Sequence, residues 1–247
     1  MAEQQKINSA YRLHLLLQTA MAQPQQALQL QVWAKTFEVQ HLTGRQQKEA
    51  VARGIILMFE QLDRVVDQLR ALGHPENTYG PLVTLMEQNV LIEMINHPWQ
   101  DFPTRLVNAI YPLFIISTFL TDDEKLVDPK EFQAIRTELD KLEASLAEKE
   151  ISPDVRFFVK RQIDKIRHAM WEYKFRGAQT FQDAVLQTFS DYMNNDFIAT
   201  HKDDPSVQKM KHIWQNVMKA METTVKIQGA LTAAQKIYQL AESVGIK

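Results

Sequence analysis

From one end of this chain to the other, apolar residues recur every three or four positions. No stretch alternates apolar and polar residues as a half-buried strand would. That pattern argues against a sheet and for amphipathic helices stacked on one another. Gly and Pro punctuate it, and the spacing predicts helices near 7–22, 25–40, 45–72, 80–96, 101–120, 130–149, 153–175, 178–195, 206–227 and 231–243. The expected fold is all-α, an irregular multi-helix bundle of about 8–10 helices.

Several predicted ends have a physical cause. Thr43 is placed to cap the helix that follows it. Gly73 precedes His74-Pro75, and a proline cannot continue a helix while glycine tolerates a left-handed cap. Asp128-Pro129 and Ser152-Pro153 read as an N-cap followed by proline in the first turn. Gly177 separates two helices, and Ser206 follows the break at His201-Lys202-Asp203-Asp204-Pro205.

Charge divides the chain. Residues 1–120 are rich in Gln, Leu and Met, whereas the rest carries about twice as many charged side chains per residue. The acidic stretch TDDEKLVDPK marks the change. We expect a hydrophobic helical N-terminal half (1–120), an acidic connector (121–130) and a charged helical C-terminal half (131–247), the two halves being separate domains or layers of one.

Composition removes whole classes of chemistry. There is no cysteine, so disulfides, thiolate metal sites and a Cys nucleophile are absent. The seven glycines stand apart from one another. A phosphate-cradling loop or a nucleophile elbow needs them clustered, because backbone must approach the ligand or turn sharply. Net charge is −2, so there is no global positive field to recruit nucleic acid. Local nucleic-acid contact by Lys160, Arg161, Lys165, Arg167, Lys174 and Arg176 is disfavoured, because they spread around their helix. The first residues do not read as a signal peptide, and no run reaches the length of a membrane span. We expect a cytoplasmic protein with no cofactor, no metal and no stable membrane span. No pattern of an autonomous enzyme emerges.

The segment ISPDVRFFVKRQIDKIRHAMWEYKFRGAQTF carries the main candidate site. On a helical wheel Val155, Val159, Ile166, Met170 and Tyr173 form one stripe, with Phe158, Ile163 and Ala169 beside it; this is the core face. Nearly opposite lie Phe157, Arg161, Asp164, His168 and Trp171. That second face has three readings. It packs under the N-terminal helices in a helix buried on two sides. It is an interface for another protein or a second copy of this chain, with Phe, Trp and Arg as anchors. Or it is a catalytic face.

The catalytic reading rests on Arg161 and His168, whose Arg-x6-His spacing is similar to that of HEPN-type ribonucleases, which are helical. The resemblance implies that His168 acts on a ribose hydroxyl and Arg161 stabilises the phosphorane, without metal. Gln162 occupies the usual polar position after the Arg. The same segment, through Ser152-Pro153, Gln162-Ile163, Ile166, Ala169, Tyr173 and Gly177, also resembles uncharacterised all-helical bacterial proteins carried near mobile-element or anti-phage genes. That resemblance implies a bacterial or phage-related setting, with defence as the context, and brings no activity with it.

Other candidates are weaker. Glu93 and His97 are one helical turn apart but lack further ligands, so His97 reads as a surface or capping residue. Glu60, Asp63 and Asp67 read as a solvated face shared with Arg64 and Arg70. The uncharged run Leu106–Leu120, interrupted by Pro112, reads as the central buried helix; the alternative is a membrane-active segment of an effector. In the C-terminal region Val207, Met210, Ile213, Trp214, Val217, Met221 and Val225 form a stripe. A short tail helix around Ile237 and Leu240 must pack against its own chain or a partner, being too short to persist alone. The leading expectation is a non-catalytic protein-binding subunit or regulator, working through helical surfaces.

Overall fold

The computed structural model describes residues 6–90, 95–121, 124–125, 127–148 and 151–222. Among them are ten α-helices and an all-α architecture: α1 (Ser9–Met21), α2 (Gln29–Thr36), α3 (Gly44–Ala71), α4 (Gly80–Asn89), α5 (Pro103–Ser117), α6 (Pro129–Glu148), α7 (Pro153–Arg176), α8 (Gln179–Met193), α9 (Asp196–Thr200) and α10 (Pro205–Glu222). Extended pairing among these residues is confined to two-residue pieces at Lys6–Ile7 and Glu124–Lys125 and a single bridge between Leu28 and Pro98. The chain divides into two compact units. One is Ile7–Asp123; the other is Glu124–Lys247 together with Met1–Lys6.

In the first unit, α1 packs against α2, α3 and α5. Its Ala10, Leu13, Leu16, Leu17 and Ala20 are buried and form one apolar stripe facing those helices. Asn8 caps it, accepting from the Tyr11 N–H at 3.0 Å and donating through Nδ2 to the Ser117 carbonyl at 2.8 Å. The longest helix, α3, presents Val51, Ile55, Met58, Leu62, Val65 and Leu69 to the core, while Glu60, Asp63, Arg64, Asp67 and Arg70 face solvent.

Two helix ends are settled by backbone conformation. At Gly73 (φ +80°) the N–H donates to the Arg70 carbonyl and that of His74 to the Leu69 carbonyl, both at 2.9 Å. This pair of hydrogen bonds closes a Schellman motif. The same motif ends α2, but with Glu38 at φ +59° in place of glycine: Glu38 N–H donates to Lys35 at 3.1 Å and Val39 N–H to Ala34 at 2.8 Å. The helix predicted over 25–40 is therefore shorter at both ends. Its start lies after a turn closed by the Ala27 N–H on the Pro24 carbonyl. The helix predicted over 80–96 ends at Asn89, with Val90 leaving helical geometry at ψ +77°. Farther on, the carbonyls of Ile95 and His97 accept from the Leu30 and Gln29 N–H groups, satisfying two orphan donors at the start of α2.

In the second unit, α10 packs against α6, α7 and α8, and α7 lies along α8. The core is one cluster: Ile135, Leu139, Leu142 and Leu146 of α6; Val155, Val159, Ile163, Ile166 and Met170 of α7; Phe181 and Val185 of α8; Val207, Met210, Ile213, Trp214 and Val217 of α10. Tyr173 is also in it, accepting through its hydroxyl from the Val127 N–H at 3.0 Å. The carboxylate of Glu124 accepts from the Ala178 N–H at 3.0 and 3.2 Å, placing a negative charge at the start of α8.

Capping departs from expectation in detail. Asp128 does cap α6, accepting from the Lys130 N–H at 2.8 Å. Thr43 and Ser152 hold the cap positions without a side-chain bond. The cap before α10 is Asp204, which accepts from the Ser206 N–H at 2.7 Å, so Ser206 is the capped residue. The predicted helix over 178–195 is followed by an additional short one, α9, opened by the Asn195 side chain accepting from Ile198 N–H at 3.1 Å. Glu93 and the predicted tail helix with Ile237 and Leu240 lie outside the described residues.

Candidate functional site

The core face of α7 is as its periodicity predicts: every residue of that stripe and its flanks is buried. The opposite face is not buried on a second side. Phe157 is 70% exposed, and Arg161, Asp164 and His168 are exposed as well; only Trp171 is half-buried, edge-on to Phe175 at 5.4 Å. A helix buried on both sides is therefore not what this unit contains.

The charges on and beside that face are organised as bridges to the neighbouring helices. Asp191 of α8 accepts from Lys165 at 2.6 Å, from Arg161 at 2.8 Å and from the buried amide of Gln162 at 3.3 Å. On the other flank Glu143 of α6 accepts from Lys160 at 2.6 Å and from Arg167, which also reaches Asp140 at 2.6 Å. Lys160 continues to Asp164 on its own helix at 2.8 Å.

These contacts shift the titrations. Burial pushes Asp191 up, but the bonds from Lys165 and Gln162 and the charges of Lys165 and Arg161 outweigh it, holding the carboxyl below the ordinary aspartate range. Glu143 is lowered chiefly by its bond from Lys160, with burial opposing and Arg167 assisting. Both carboxylates are thus held ionised by cations of α7.

Arg161 and His168 share a face, as their spacing requires, but each has its own carboxylate. Seven residues of helix put them about 10 Å apart along the axis. Arg161 is bonded to Asp191, while His168 Nε2 lies 2.9 Å from Oε1 of the buried Glu172, whose other oxygen takes Arg176 at 3.3 Å. The His168 ring stacks on Trp171 at 5.8 Å. A carboxylate fixing a histidine suits a general base. The Arg charge needed to stabilise a phosphorane, however, is already offset by Asp191.

The remaining candidates are dispersed. Glu60 and Asp63 face solvent, and Asp67 pairs with Arg70 at 3.3 Å one turn away. His97 is exposed. Among the described residues no group of three or more His, Cys, Asp or Glu side chains is arranged to hold a metal.

The run Leu106–Leu120 is not a central buried helix. Within α5, Leu106, Ala109, Leu113 and Ile116 face the core. The other side carries Val107 (40% exposed), Tyr111 (72%), Phe114 (47%) and Ile115 (57%). Pro112 does not end the helix, which continues through it to Ser117. The stripe is extended by α1: the His14 ring stands 5.5 Å from Phe114 and 5.6 Å from Tyr11, and its Nδ1 donates to the Ile110 carbonyl at 3.1 Å. Sequence reasoning missed this face, because a helix apolar all round ordinarily reads as buried all round. The available signal was Thr104, Asn108 and Thr118, which fall on or beside the exposed side. Among the described residues no helix is long and apolar enough to cross a membrane.

Comparison with known proteins adds nothing to this geometry: no family model matches the chain, and no similar curated protein or solved structure was found.

Proposed function

We propose that this chain is a non-catalytic protein-binding subunit or regulator that works through exposed helical faces. The bacterial, anti-phage or toxin-type setting of that role rests on the resemblance of residues 152–177 alone. The observation that carries the reading is the exposed stripe Val107, Tyr111, Phe114 and Ile115 on α5. Isolated exposed hydrophobics are ordinary, but four adjacent ones on one uncharged helix face mark a surface that gains free energy when covered. Phe157, with Trp171 half-buried nearly four turns along α7, offers a second and smaller anchor.

The test is the mass of the assembly purified gently from the source cell. The expected result is an assembly heavier than one chain, lost in a Tyr111→Arg, Ile115→Asp variant whose far-ultraviolet circular dichroism is unchanged. An assembly indifferent to those substitutions and to Phe157→Ser with Trp171→Ala overturns the reading. RNA cleavage abolished by His168→Ala replaces it with the ribonuclease alternative. Flotation of the bare chain with liposomes, lost in the α5 variant, replaces it with the membrane-active one.

A further inference from the structure

We draw no further inference here: the strongest candidate, the exposed apolar surface patch of α5 at Val107, Tyr111, Phe114 and Ile115, belongs to the face already described, and nothing in the structure shows what covers it.

Discussion

The ring of Phe37 lies against the backbone of α3 at Gly54: a Cβ there would come to 2.5 Å from Cε2 of Phe37 and 3.0 Å from its Cγ. Phe37 is itself fully buried and stacks on Trp33 at 5.5 Å, so the ring has nowhere to retreat. On an isolated helix, replacing Gly by Ala gains up to about 1 kcal/mol. Here overpacking costs about 1–3 kcal/mol and wins. Gly54→Ala should destabilise the protein in chemical denaturation, and Phe37→Leu in the same chain should recover part of the loss. A stabilised Gly54→Ala variant would show that this contact is not made.

Gly177 ends α7 at φ +70°, ψ −156°, a region open essentially to glycine alone. Its N–H donates to the Tyr173 carbonyl at 2.9 Å, and its carbonyl accepts from the Thr180 hydroxyl at 2.8 Å. The turn is therefore anchored on both sides and cannot relax cheaply. Gly177→Ala should lower stability by about 1–3 kcal/mol, measured as a shift in the denaturation midpoint at unchanged slope.

Asp191 gathers Arg161, Lys165 and Gln162 on one oxygen, and its carboxyl is held below the ordinary range. A carboxyl depressed in the folded state stabilises the protein above its unfolded value and loses that contribution as pH falls through its folded value. Glu143 behaves in the same sense. Stability should thus decline as pH drops below about 4. Asp191→Asn should cost about 1–2 kcal/mol at neutral pH, given partial exposure. The gap between variant and wild type should close at acid pH. A gap that stays constant with pH would exclude the ion pairs as its source.

Phe157 and Phe158 are neighbours in sequence and opposites in burial, at 70% and 4% exposure. Phe158→Ala removes a core ring and should cost about 3–5 kcal/mol. Phe157→Ala should change stability by no more than about 0.5 kcal/mol. Thermal unfolding of the two variants checks the phase of α7 directly; similar losses would mean that the helix is rotated.

Where the chain is amphipathic with one clear stripe, its local sequence was sufficient. The core face of α7 and the α10 stripe from Val207 to Val217 were legible because a single apolar face leaves a helix one way to turn. Helix ends were less legible. The end of α2 depends on Glu38 taking a left-handed conformation that its residue type does not announce, and the start of α2 uses carbonyls some 65 residues away.

The candidate site shows the same division. Arg161 and His168 share a face because helical geometry demands it. His168 meets Glu172 one turn along the same helix, a pairing the i,i+4 spacing allows, but that Arg161 is bonded to Asp191 depends on how α8 lies along α7. No spacing in the sequence states that.

Periodicity, the spacing of Gly and Pro, and the absence of cysteine thus determined by themselves an all-α chain and the inward face of its amphipathic helices, because both follow from local hydrogen bonding and the period of apolar residues. Only the tertiary structure decided which carboxylate of a neighbouring helix neutralises which cation of α7. It alone decided that α5, apolar around most of its surface, keeps Tyr111 and Ile115 in solvent. Such a helix has only the weak preference that Thr104 and Asn108 give it, and what covers it is set by the helices that lie beside it.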